Sequence, residues 1–284
     1  DSTSGNAGGL ILGTGDGVGG CGGKIDLIAG SGDDGAGADL TMAAGATSAT
    51  EGETGGHVSL KTGYSAATAS GDLTLLTADA GAAGVSGSLI LSTGDVTDAS
   101  TSGNMLIGTG DTAATGKGGN IVVTVGSGAA TGGSLTLSSG KAGGGNSGAI
   151  LIGTNTASGG SGGAIDIGVG SGDSGTGGHV TITAGKSTAA TNASPPGLGG
   201  KVVISSGSST KATSGDILLK TPNAGTDNDI DAEAGGATGA ISLSTGISTT
   251  GDSGGLFFGT GSAVDGHGGE IEIIVGSGDT GAGG

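Results

Sequence analysis

Aromatic side chains are nearly absent from this chain: they make up 1% of its 284 residues, and there is no tryptophan. A compact core built on large rings is therefore excluded. Proline is scarce as well, with three residues, and glycine follows no strict Gly-X-Y period. These two facts exclude a collagen triple helix.

Positive charge is also in short supply. Eight lysines stand against 25 acidic residues, no arginine occurs, and the formal net charge is −17. We expect no nucleic-acid partner, because neutralising phosphates requires a basic surface. The apolar runs last only a handful of residues, far short of the ~20 that a membrane-spanning helix needs, so we expect no membrane span.

Cysteine occurs once, at Cys21, so an internal disulfide and a zinc site are excluded. Cys21 is either a buried thiol or a candidate for a disulfide to another chain. A secretory leader is missing too, although the chain starts and ends inside its own repeat pattern. We therefore expect a mature or partial product, and the missing leader says nothing about secretion.

Glycine dominates what remains, with 74 residues arranged in a repeat. Each unit has seven positions (variable, apolar, variable, apolar, variable, small, Gly) and is followed by a loop rich in Gly, Ser, Thr and Asp. We count seventeen units, mostly 14 to 18 residues apart. The residues in position 2 are Leu10, Ile25, Leu40, Val58, Leu73, Leu89, Met105, Ile121, Leu135, Ile150, Ile165, Val180, Val202, Ile217, Ile241, Leu256 and Ile271.

Alternation of this kind predicts a half-buried strand, and the glycine in position 7 predicts a sharp corner with positive φ. One such strand buries too little surface to be stable, so copies must stack. The sequence thus predicts an all-β, glycine-rich parallel β-solenoid, a single array over 1–284 with loop insertions at 186–200 and 223–239. Phrases such as "VGSG" recur at multiples of three units, which favours three strands per turn. One strand per coil and an antiparallel meander remain alternatives.

Position 3 is predicted to point outward. The units can be grouped in consecutive threes, which we call triplets. In the first unit of each triplet position 3 is mostly apolar, which predicts an assembly interface on one outer face. The alternative is that a glycine-rich loop of the same chain folds over this face. The candidate interface residues are Ile11, Leu106, Leu151, Val203 and Phe257.

No pattern predicts catalysis, so we expect no enzyme, no cofactor and no metal site. His57 and His179 occupy position 1, where other units place Lys or Asp, and we interpret them as surface side chains. Asp in loops such as "GSGDDGAG" could bind calcium, but the ~15-residue unit differs from calcium-binding nonapeptide repeats and favours Asx-turns instead.

Asn192 lies in the one N-glycosylation sequon, followed by Pro195, and the Ser/Thr-rich loops could carry O-linked sugar.

Phrases such as "GGHVTITAGKS", "GGSLTLSSG" and "SGSLILSTGD" resemble the glycine-rich repeat regions of mastigoneme proteins, the flagellar-hair proteins of heterokont algae and diatoms, including the sexually induced family. The resemblance extends over the whole chain, without the family's cysteine-rich modules. It implies an extracellular, glycosylated subunit of a rigid hair shaft that assembles with itself and related subunits.

The leading hypothesis is therefore a structural subunit of an extracellular filament. The second is an extracellular adhesin or an ice-binding β-solenoid that presents Thr181 and Thr183, or Thr41 and Thr136. A third, a polysaccharide-cleaving β-helix enzyme, needs clustered carboxylates and aromatic sugar platforms, which a chain with one Tyr and two Phe supplies poorly.

Overall fold

The computed structural model describes residues 8–49, 52–97, 99–113, 115–189, 197–224 and 236–278. The chain divides into two compact units, Asp1–Leu137 and Ser138–Gly284. Both contain the same kind of repeat, an extended segment of about seven residues followed by a loop.

Within the described residues there is no helix and no strand, so the predicted all-β solenoid is wrong. The extended segments occur where the alternation places them, but they do not pair with one another into sheets. The β-helix with three strands per turn, and its rival with one strand per coil, are both overturned by this finding.

No described side chain is buried, hydrophobic or polar. The accessible surface of the chain is 27382 Å². A compact monomer of its 25.4 kDa exposes roughly 10,000 Å² and a fully extended chain roughly 37,000 Å². No hydrophobic core therefore forms among the described residues of either unit.

Local order comes instead from the loops, which close on themselves. In eight of them the carbonyl oxygen of position 7 accepts a hydrogen bond from the backbone N–H two residues before the next position 2, with N···O distances of 2.8 to 3.3 Å. We call the residue two before position 2 the foot of the preceding loop, whether or not its N–H donates a hydrogen bond. The eight donors are Ala38, Gly56, Gly71, Gly133, Gly148, Gly178, Gly200 and Gly215.

Three further loops are closed by a side chain. The hydroxyl of a threonine in position 6 donates to the carbonyl oxygen of the foot glycine, in Thr14 to Gly23 (3.1 Å), Thr109 to Gly119 (3.2 Å) and Thr154 to Gly163 (3.1 Å). All three belong to the first unit of a sequence triplet. Two other first units of a triplet, those of Val58 and Val202, close through the backbone bond instead, so the mode of closure does not follow the three-unit period.

The tight corner lies elsewhere than predicted. Positive φ does not occur at any position 7 that the structure describes. It occurs within the loop, four residues before the foot, except at Gly175, which has φ of 122° and stands three residues before the foot Gly178. Gly19, Gly52 and Gly159 adopt it with φ of 72°, 76° and 82°, and Asp265 adopts it in the equivalent place with φ of 58°. The turn is therefore made late in the loop.

The solenoid does not form because closing a loop locally costs less entropy than stacking one unit on another. A bond between residues about eight apart costs little loop-closure entropy, whereas stacking a unit on its neighbours orders many more residues. Each extended segment contributes only two or three apolar side chains, and glycine loses the most backbone entropy on ordering. Closing a loop thus makes one backbone hydrogen bond without any stacking.

Candidate functional site

The closed loop brings the foot glycine against the position-6 side chain of the preceding segment. A Cβ added at Gly163 would lie 3.3 Å from Cγ2 of Thr154, and one added at Gly148 would lie 3.3 Å from Cβ of Ser139. The same approach, within 4 Å, occurs in all fifteen loops whose foot is glycine. Glycine at the foot therefore lets the end of one extended segment lie beside the start of the next.

The extended segment alternates in exposure along its length. In the tenth unit Ile150 is 54% exposed, Leu151 in position 3 is 88% exposed and Ile152 is 73% exposed. An extended backbone turns successive side chains to opposite sides, which accounts for the alternation. Position 3 thus presents the most accessible apolar side chain of this segment.

The five sequence-predicted interface residues are all exposed, from 68% at Val203 to 94% at Ile11. The structure does not bring them together on one face, because the stacked strands that defined this face do not form among the described residues. Ile11 and Leu106 lie in the first compact unit, and the other three lie in the second. Their role in assembly stays a prediction, without a shared stripe in the isolated chain.

The threonine pairs proposed for an ice-binding surface also lack their predicted support. Thr41, Thr136, Thr181 and Thr183 lie in extended segments that belong to no sheet. A flat array of hydroxyls on consecutive rungs requires such a sheet. The β-solenoid that such an ice-binding surface requires is therefore absent from the described residues.

Ionisable side chains do not converge in the part of the chain that the structure describes. His57 and His179 are exposed, and no group of three or more His, Cys, Asp or Glu residues could hold a metal ion there. The salt bridge between Lys24 Nζ and Asp26 Oδ2 (2.9 Å) lies on the surface, joins positions 1 and 3 of one segment, and contributes little stability.

Cys21 is a free, exposed thiol, so the buried-thiol alternative is wrong and the disulfide to another chain stays a prediction. Asn192, the candidate glycosylation site, lies outside the described residues. The first predicted insertion, 186–200, follows the same loop-closing rule as the shorter loops, since the Gly200 N–H donates to the Gly185 carbonyl oxygen at 2.9 Å.

Serine hydroxyls in the loops accept hydrogen bonds from backbone N–H groups close by in the chain. Ser209 Oγ accepts from the N–H of Ala212 at 2.9 Å, and Ser65 Oγ accepts from the N–H of Thr68 at 3.0 Å. Ser248 accepts from Gly251 in the same way at 3.1 Å. Each serine stands two residues after position 7, so these side chains shape the start of the loop.

Neither a pocket nor a helix long and apolar enough to cross a membrane occurs among the residues whose placement is described. The accessible chemistry of this part of the chain is therefore a series of exposed apolar side chains between polar loops. These apolar side chains are the candidate functional surface.

Comparison with protein-family models, with curated proteins and with solved structures finds no match to this chain.

The foot residue is the feature that the seven-position repeat missed. Glycine stands two residues before position 2 in sixteen of the seventeen units, and Ala38 is the exception. Extending the repeat by one position would have revealed this regularity. Its reason, the close approach to position 6, becomes visible only in three dimensions.

Proposed function

We propose that this protein is a structural subunit of an extracellular filament and that its copies assemble through their exposed apolar side chains. The observation that carries the proposal is the exposure of every large apolar side chain for which burial is described. Burying one Leu, Ile or Phe fully contributes about 1.5–3 kcal/mol. An isolated copy fully buries none of these described side chains, whereas a neighbouring copy can supply the cover.

The cost of association sets how many residues must take part. Association loses roughly 4–15 kcal/mol of translational and rotational freedom, and ordering side chains adds to this. One apolar side chain does not offset that loss, whereas a repeated set does. A repeat of seventeen similar segments provides such a set, and its polar loops keep the rest of the surface hydrated.

The resemblance to mastigoneme repeat regions supports a flagellar-hair shaft as the specific filament, and with it an extracellular location, related subunits as partners and glycosylation. A role without catalysis, cofactor or metal fits the same proposal, since a filament subunit needs contacts and no reaction centre. The charge of −17 limits non-specific association and keeps unassembled copies apart.

The test is negative-stain microscopy with analytical ultracentrifugation of the full chain. We expect filaments or large assemblies from the wild-type chain. A variant with Asp at the five interface residues Ile11, Leu106, Leu151, Val203 and Phe257 is expected to stay monomeric. The control carries the same five added charges at hydroxyl-bearing position-3 residues, Thr41, Ser59, Thr136, Thr181 and Ser242, and is expected to assemble.

A wild-type chain that stays monomeric at high concentration would contradict the proposal. Equal loss of assembly in both variants would show that charge, and not apolar contact, governs association.

A further inference from the structure

Aspartate is followed directly by glycine at three places in the chain, Asp16–Gly17, Asp34–Gly35 and Asp265–Gly266. In such a pair the backbone nitrogen of the glycine can reach the carboxyl group of the aspartate, because glycine has no Cβ to obstruct the approach and its backbone adopts the widest range of conformations. These pairs are therefore candidate sites for a spontaneous covalent change of the backbone.

The three pairs differ in how freely they move. A Cβ added at Gly17 would lie 2.5 Å from the carbonyl oxygen of Cys21, so this glycine is enclosed by its own loop. Asp265 holds φ of 58°, a left-handed conformation that few residues other than glycine adopt. A Cβ added at Gly35 meets nothing within 4 Å. The pair of Asp34 and Gly35 is thus the least confined of the three.

Both reacting groups of this pair are available. Asp34 and Gly35 are exposed. Within the described residues, the Asp34 carboxyl group has no salt-bridge or hydrogen-bond partner, and the Gly35 N–H donates to no acceptor. No interaction therefore has to break before the two groups meet.

We propose that Asp34 is a site of isomerisation to isoaspartate. The Gly35 nitrogen attacks Cγ of Asp34, the N–Cγ bond forms, and one carboxyl oxygen leaves as water together with the amide and carboxyl protons. Water then adds to the main-chain carbonyl carbon of Asp34 in this cyclic imide and breaks its bond to the Gly35 nitrogen. The chain now runs through Cγ, and its composition is unchanged because one water leaves and one enters.

Isomerisation inserts Cβ of Asp34 into the backbone of a loop that closes on itself. The Ala38 N–H donates to the Gly30 carbonyl oxygen at 2.9 Å. The Gly35 carbonyl oxygen lies against Gly32, where an added Cβ would be 2.6 Å from it. An extra backbone carbon changes the reach of the chain between these contacts, so we expect the isomerised loop to close less often. This inference is independent of the proposed filament.

The experiment follows the full chain in neutral buffer made with heavy-oxygen water. After cleavage at lysine, fragment 25–61 contains Asp33 and Asp34, and electron-transfer fragmentation in a mass spectrometer distinguishes isoaspartate from aspartate at each. Hydrolysis of the imide also adds one heavy oxygen to a residue that has passed through the ring. We expect isoaspartate to form at Asp34 at least about tenfold faster than at Asp33, whose following residue carries a side chain, and faster than at Asp16.

The variant Gly35→Ala tests the role of the glycine. We expect it to slow isomerisation at Asp34 about tenfold, because the added Cβ obstructs the attacking nitrogen and narrows the freedom of the backbone. Gly30→Ala is the matched control, since it adds the same methyl group to the same loop at a place where the Cβ meets nothing within 4 Å. Its rate is expected to equal that of the wild type.

Equal rates at Asp33 and Asp34, or neither isoaspartate nor heavy oxygen at Asp34, would overturn the proposed site. Faster isomerisation at Asp16 than at Asp34 would overturn it too, because Asp34 is selected by its freedom of movement. Equal slowing in the two alanine variants would show that loop conformation, and not the glycine beside Asp34, controls the reaction.

Discussion

The hydroxyl of Thr109 donates a hydrogen bond to the carbonyl oxygen of Gly119, 3.2 Å away and ten residues later in the chain. This bond joins the end of one extended segment to the foot that starts the next. Because no described side chain is buried, this bond and the backbone bonds of the other loops are what hold the loops closed.

Replacing Thr109 by Val therefore opens its loop. A hydrogen bond of this kind contributes about 0.5–1.5 kcal/mol, so we expect the population of the closed loop to fall roughly two- to tenfold, measured by the nuclear Overhauser effect between residues 109 and 119. Thr109→Ser is the control, since it keeps the hydroxyl. An unchanged effect in Thr109→Val would mean that the bond does not hold the loop.

The foot glycine provides a steric test. A Cβ at position 56 would lie 3.2 Å from the backbone nitrogen of Gly45 and 3.3 Å from Cβ of Ala44, so Gly56→Ala must push the two ends of the loop apart. We expect the Gly56 N–H bond to Gly45, 2.8 Å in the wild type, to lengthen and the amide at 56 to exchange severalfold faster.

The control for this variant is Gly45→Ala at the other end of the same hydrogen bond, where an added Cβ meets nothing within 4 Å. It also reduces the freedom of the open loop, so we expect equal or slower exchange at residue 56. Faster exchange in both variants would argue against a steric cause.

Substitutions at Asp265 test the turn that lies late in the loop, four residues before the foot. This residue adopts φ of 58° at the place where Gly19 and Gly159 stand in other units. Asn tolerates this left-handed conformation, whereas a β-branched residue strains it by about 1–2 kcal/mol or more.

Accordingly, Asp265→Asn is expected to leave the backbone NMR shifts over 261–269 unchanged apart from the substituted residue, and Asp265→Val is expected to lower the population of this turn about tenfold and to shift them. Both variants remove the same charge, so a difference between them reports backbone strain. Identical shifts in the two variants would show that this corner is not fixed.

Salt provides the fourth prediction, which concerns the proposed assembly. Raising sodium chloride from 10 to 150 mM shortens the screening length from about 30 to about 8 Å, which weakens repulsion between chains of charge −17. We expect half-assembly at a severalfold lower concentration in the higher salt, measured by sedimentation. Weaker assembly in salt would instead indicate contacts between lysines and acids.

Part of this local structure could be read from the sequence. The alternation around Ile150, Leu151 and Ile152 predicted a half-buried strand with position 3 outward. Leu151 is the most exposed of the three, but all three are exposed and no strand forms among the described residues. The step from extended segment to β-solenoid failed, because periodicity describes the sides of a backbone and does not show what, if anything, lies against them.

The loops were harder to predict. Gly45 and Gly56 both occur in the sequence, yet glycine is so frequent in this chain that no pair stands out. The hydrogen bond between them depends on the intervening turn, whose positive φ falls at Gly52 and not at position 7 as expected. A turn position depends on backbone geometry that composition does not encode.

By itself, the sequence determined the repeat and the acidic charge, because both follow from which residue stands where. The tertiary structure decided that no segment pairs into a sheet among the described residues, that the Thr109 hydroxyl closes its loop, and that Ile90, Leu106 and Val122 are exposed. The physical reason is that local closure costs little entropy, whereas the burial needed to stack these short apolar segments is not available within one chain.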